Sequence, residues 1–81
     1  MENILRIRDE IKDDEFIRIS RITDSVIIFD LRDKDFLTTK EIKMLNMLTN
    51  IGKLVKLLNA NYKIEKLLKY LDYEGISFIH N

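Results

Sequence analysis

Residues 26–42 decide how the chain folds: Val26-Ile27-Ile28-Phe29-Asp30-Leu31, then Arg32-Asp33-Lys34-Asp35, Phe36-Leu37, and Thr38-Thr39-Lys40-Glu41-Ile42. The first six are short, β-branched and apolar on consecutive positions. That pattern predicts a strand covered on both faces by helices, central in a parallel sheet. The polar residues that follow read as a loop. Thr38 followed three residues later by Glu41 is a capping-box pattern, in which the hydroxyl accepts from the Glu41 amide and the carboxylate accepts from the Thr38 amide. A helix is therefore predicted from Thr38, with Ile42, Leu45, Leu48 and Ile51, joined by Met44 and Met47, as its apolar stripe. Gly52 is placed to end it in a left-handed conformation.

Downstream, Lys53-Leu54-Val55-Lys56-Leu57-Leu58 is too short for another helix and reads as a strand. Asn59-Ala60-Asn61 supplies turn and N-cap chemistry, and Ile64, Leu67, Leu68 and Leu71 fall at i, i+3, i+4 and i+7, the clearest helix in the chain. Gly75 is expected to close it, and Ile76-Ser77-Phe78-Ile79 reads as a last strand. Upstream, Ile4-Leu5-Arg6-Ile7 has strand character. Between residues 13 and 24 two templates compete. Ile17 and Ile19 alternate with Arg18 and Ser20 as in a hairpin strand, whereas Phe16, Ile19 and Ile22 recur as on a helix. The β-α-β-α-β alternation from Val26 onward favours the helix, because parallel neighbours need a crossover. The expected fold class is α/β: about four strands in a mostly parallel or mixed sheet, with helices packed on it, as one domain over residues 1–81.

The chain has 81 residues, 46% of them apolar, with no cysteine and no proline, so its core rests on aliphatic packing without disulfide or zinc staples. The opening residues lack the apolar core of a signal peptide, and the longest apolar runs are far short of the roughly 20 residues of a membrane span. A cytoplasmic location is the expectation. Fourteen basic residues balance fourteen acidic ones, without the cationic excess of a nucleic-acid binder. The charge is uneven: residues 1–37 carry ten acids and seven bases, and residues 38–81 four acids and seven bases.

Candidate chemistry is sparse. His80 is the only histidine and reads as a tail residue. Asp30, Asp33 and Asp35 lack the glycine turn and downstream glutamate of a calcium loop and read as solvated charge. Tyr62, Tyr70 and Tyr73, with lysines between them, make a poor nucleic-acid surface on a neutral chain. No Ser-His-Asp set, Cys-His pair, Gly-rich phosphate loop or HExxH occurs in the sequence, and neither an enzyme nor a cofactor is expected.

Residues 26–79 resemble the STAS domain, the fold of bacterial anti-anti-sigma factors and of modules attached to anion and lipid transporters. In that family an apolar strand ends Asp-Leu, a short polar loop and an apolar pair follow, and Asp-Ser-Ser-Gly-Leu opens a helix. Here Asp30-Leu31, Arg32 to Asp35, Phe36-Leu37 and Thr38-Thr39-Lys40-Glu41-Ile42 occupy those places. Lys53 to Asn59, Ile64 to Leu71 and Ile76 to Ile79 are similar to the later strand, helix and strand. The chain departs from the family motif: Thr38 stands at its aspartate, Thr39 at its phosphorylated serine, Lys40 at the second serine and Glu41 at the glycine. The first family strand is missing or reduced to the opening residues.

The resemblance implies a non-catalytic interaction module. Its partner would be a nucleotide-binding protein, either an anti-sigma kinase-like ATPase or the ATPase of a transporter, which would place it in the cytoplasm or peripheral to the inner membrane. The contact would be made by Phe36, Leu37, Thr38, Thr39, Lys40, Glu41 and Lys43, with Thr39 the candidate phosphorylation site. Loss of the aspartate-serine pair leans toward a constitutive partner. The alternative is a small homo-oligomeric structural or phage-type protein that self-associates through a sheet edge or the methionine-bearing helix, and a homodimer is compatible with either reading.

Overall fold

The apolar run at Val26 becomes an interior strand because parallel neighbours accept it on both sides. A computed structural model describes residues 3–80; Met1, Glu2 and Asn81, at the ends of the single-domain span, lie outside the described residues, as does the very start of the segment read for a signal peptide. The order is β1 (Asn3–Arg6), α1 (Asp13–Ser20), β2 (Val26–Asp30), α2 (Thr39–Asn50), β3 (Leu54–Leu58), α3 (Tyr62–Leu71) and β4 (Ile76–Ile79). The strands lie side by side in chain order, and every pairing is parallel. The sheet is thus wholly parallel, with no antiparallel strand.

Side chains alternate across a strand. Ile27 and Phe29 of β2 and Val55 and Leu57 of β3 are fully buried and share one core with Ile19 of α1, Met44, Leu45 and Leu48 of α2, and Ile64 and Leu68 of α3. All three helices therefore cover the same face. This corrects the expectation that β2 is covered by helices on both faces. Right-handed crossovers between strands that are adjacent in both sequence and space return each helix to the same side. The opposite face carries Ile28 between its register neighbours Ile4 and Lys56, and leaves Ile4 and Leu54 about half exposed.

The ambiguous segment is the helix α1, with Ile19 buried, Phe16 and Ile22 packed against the core and Ile17 turned outward. Three acids in its first turn face the positive end of the helix dipole. Lys53 at the start of β3 donates to the backbone carbonyls of Ile22 and Asp24, tying the exit of α1 to the sheet.

Two details differ from the sequence pattern and one agrees. Leu67 is 41% exposed while Leu68 is 3% exposed, and Met47 and Ile51 are also more than half exposed. With one helix layer and nothing outside it, only the centre of each apolar stripe is covered and its flanks meet solvent. Gly52 follows the C-cap of α2 at φ 92°, as its position predicts. Gly75, however, does not close α3. That helix ends at Leu71 with Asp72 in the left-handed region, and Gly75 forms the turn into β4, where a Cβ would lie 3.1 Å from the Thr49 Cγ2.

Leu68→Ala should therefore cost about 2–5 kcal/mol in a denaturant melt, and Leu67→Ala less than about 1 kcal/mol. Equal losses at the two positions would contradict the one-sided packing.

Candidate functional site

The β2–α2 connection, residues 31–38, leaves the sheet at the carboxyl ends of the strands, where ligand-binding loops of parallel sheets collect. Its entry is fixed by Asp30, which is only 4% exposed. The Asp30 carboxylate accepts from the Arg32 guanidinium at 2.6 and 2.8 Å, from the Arg32 amide at 3.1 Å and from the Asn59 amide group at 3.1 Å. Asn59 stands just beyond β3 with φ 59°, which aims its side chain chemistry at the neighbouring strand end. The hydrogen bonds from Arg32, above all, hold the Asp30 carboxyl at about 2, below its ordinary 3.8, against the opposing effect of burial. Asp33 is clasped by Arg6 at 2.6 and 3.2 Å, with Arg8 at 3.8 Å, and the hydrogen bond from Arg6 lowers its pKa as well. The acids read as solvated loop charge are thus, at Asp30 and Asp33, the anchors of the loop. Among the described residues no group of three carboxylate, imidazole or thiol side chains is arranged to hold a metal ion.

The middle and exit of the loop are held as firmly. The Lys34 amide donates to the Leu31 carbonyl at 3.0 Å. Asn61 caps α3 by accepting from the Ile64 amide, and its side-chain NH2 donates back to the carbonyls of Lys34 and Asp35 at 3.3 and 2.9 Å. The predicted capping box is present: the Glu41 amide donates to Thr38 Oγ1 at 3.1 Å and the Thr38 amide to Glu41 Oε1 at 3.0 Å. Glu41 is 1% exposed, and Lys34 Nζ lies 3.0 Å from its Oε2. One buried carboxylate therefore serves both the helix start and the loop.

The seven residues assigned to partner contact divide accordingly. Glu41 is enclosed and offers a partner no surface. Leu37 packs on the core, and Thr38 is half-buried with its hydroxyl engaged by the cap and by Glu10 at 3.4 Å. Phe36, Thr39, Lys40 and Lys43 are exposed, Phe36 to 66%. Lys40 is paired with Asp13 of α1 at 2.8 Å, a contact that raises its pKa. Lys40, Lys43, Met44 and Met47 line a shallow groove between α2 and α1, closed on the other side by Asp13 and Phe16. Thr39 occupies the first turn of α2, where a helix start favours an anion. Lys40, next to it in sequence, is already committed to Asp13, and Glu10 contacts the neighbouring Thr38.

Sequence reasoning missed Lys34 as the partner of Glu41 and the joint tie of Arg32 and Asn59 to Asp30. The first spans a loop and the second a sheet register, neither of which has a local pattern. Asn61 was legible as a cap but not as a clamp on the loop.

No family model matches the chain, and no curated protein or solved structure matches it.

Two outcomes follow from this geometry. Because the Asp30 carboxyl is more acidic folded than unfolded, its contribution is complete above its ordinary value of 3.8 and is lost as pH falls toward about 2. Stability measured across that window should fall more steeply for the wild type than for Asp30→Asn; identical slopes would mean that the Arg32 contact is not formed in solution. Separately, Glu41→Ala should cost about 3–5 kcal/mol because it leaves Lys34, whose side chain is only 10% exposed, without its counter-charge, whereas Thr38→Ala should cost about 1 kcal/mol and Thr38→Ser much less. Equal costs for Glu41→Ala and Thr38→Ala in urea melts would remove the special role of the Lys34 pair.

Proposed function

We propose that the chain is a STAS-like, non-catalytic interaction module that docks on a nucleotide-binding regulatory partner through Phe36 and the outer face of the start of α2. The observation that carries this reading is Phe36 itself: a phenyl ring 66% exposed in a loop whose two ends are fixed by hydrogen bonds and ion pairs. An exposed aromatic on a rigid platform is the arrangement of an interface anchor, since little conformational freedom remains to be lost on binding. Thr39 and Lys43 add exposed polar groups on α2, and the methionine-lined groove between α2 and α1 supplies adaptable apolar surface. The order of elements from β2 to β4 agrees with the resemblance drawn from the sequence, and the resemblance points to a partner ATPase of the anti-sigma kinase-like or transporter kind. The acids around Thr39 favour constitutive docking over a phosphorylation cycle. Glu10 lies against the neighbouring Thr38 hydroxyl, and Lys40, the cation next to Thr39 in sequence, is already paired with Asp13.

The test is affinity capture from bacterial extract with the wild-type chain and with Phe36→Ala side by side, followed by titration of the recovered ATPase. Phe36→Ala should weaken binding by about 2 kcal/mol, roughly 30-fold, with an unchanged melting curve, and Thr39→Glu should weaken it as well. Capture of the same proteins by both chains, or recovery of no ATPase, would overturn the reading.

A further inference from the structure

The two edges of the sheet are unlike. At the β4 edge, the groove beside α3 has an apolar floor that includes Leu68, Ile76 and Phe78, and Glu65, Lys69, Asp72 and His80 stand over it. Lys69 pairs with Glu65 at 3.1 Å and lies 5.7 Å from the Phe78 ring centroid, and His80 reaches Glu65 at 3.0 Å. Charge over an edge strand is a common guard against further pairing. At the β1 edge, the matching groove beside α1 has an apolar floor of Leu5, Ile19 and Ile22, with Ile4 at its lip, Arg6, already paired with Asp33, on the strand, and Glu15 and Arg18 on its helical wall. Among the described residues neither Glu15 nor Arg18 takes part in an ion pair.

The backbone of β1 is open on that side. The Ile7 amide donates to the Asp30 carbonyl, and the register Leu5↔Phe29 follows from the same pairing. Peptide groups alternate in direction along a strand, so Leu5 and Ile7 bond toward β2 while the N–H and C=O of Ile4 and Arg6 face outward. These are the groups that a further strand would pair.

From these features we infer that the β1 edge is a self-association surface, and that its occupant is β1 of a second copy, running antiparallel about a two-fold axis through Leu5. In that register Ile4 of each copy lies opposite Arg6 of the other, and both outward-facing residues exchange their hydrogen bonds. Leu5 meets its symmetry mate over the helix-covered face. The same axis sets the two α1 helices side by side and antiparallel, with Glu15 of each copy facing Arg18 of the other. The charge order of this helix wall, acid before base, is self-complementary under a two-fold axis, as an isologous interface requires. The result doubles the four-stranded sheet and keeps all helices on one face. This inference is independent of the partner reading at Phe36.

Sedimentation velocity across the micromolar range tests it. The wild type should sediment at twice the 9.7 kDa chain mass. Glu15→Arg and Arg18→Glu should each weaken the dimer at least about tenfold, because each sets like charges across the axis. Mixing the two variants should restore a dimer, since acid then faces base at both contacts. Ile4→Pro, which removes only an outward-facing N–H, should also give a monomer with an unchanged circular dichroism spectrum. A monomeric wild type, a dimer indifferent to both charge reversals, or a mixture of the reversed chains that stays monomeric would overturn the inference.

Discussion

Each strand pairs in parallel with the next strand in sequence, and nearly everything else in the molecule follows from that connectivity. A parallel neighbour is reached only through a crossover, and the crossover has one favoured hand. Strands taken in order therefore wind in one direction, and α1, α2 and α3 accumulate on one face. The core is the layer between that helix row and the alternate strand residues Ile27, Phe29, Val55 and Leu57. The same winding brings the starts of the helices, and the loops that lead to them, to the carboxyl end of the sheet. It also leaves the far face and both edges to be managed by side chains alone, with Lys69 and His80 paired to Glu65 at the β4 edge and Arg6 paired to Asp33 at the β1 edge.

At the carboxyl end the chain concentrates its polar hydrogen bonding in one loop. Asp30 and Asp33 secure its entry through Arg32, Asn59 and Arg6, Asn61 clamps its middle, and Glu41 holds its exit through Thr38 and Lys34. Burying a carboxylate is costly unless it is both paired and hydrogen-bonded, and Glu41 is both. Such a set of contacts fixes the loop, yet the Phe36 side chain has no share in them.

The fold class was legible because its signals are local: an apolar β-branched run, a capping box three residues wide, and a leucine stripe at helical spacing. The segment 13–24 was settled by connectivity, since both periods fit its own residues and only the need for a crossover between β1 and β2 decides for the helix. Facing was read less well. Leu67, Met47 and Ile51 belong to apolar stripes that are wider than the area a single helix layer can cover. Both-face burial of β2 was inferred from its unbroken hydrophobicity, whereas Ile28 is shielded among its sheet neighbours without a helix above it. In the candidate site, the cap at Thr38 was visible in the sequence. The burial of Glu41, the identity of its cation and the tie between Asp30 and Asn59 depend on which strand ends the fold brings together, and no spacing rule encodes that.

The loop bearing Phe36 is a pre-formed platform in the free chain. Backbone amide hydrogen exchange measured residue by residue tests it most directly. The Arg32, Lys34, Thr38 and Glu41 amides each have an acceptor within about 3 Å, at 3.1, 3.0, 3.0 and 3.1 Å, and should exchange with protection approaching that of the β2 amides. Exchange of these four at the rate of an unstructured peptide, while β2 and β3 remain protected, would show a loop that orders only on binding and would contradict the account.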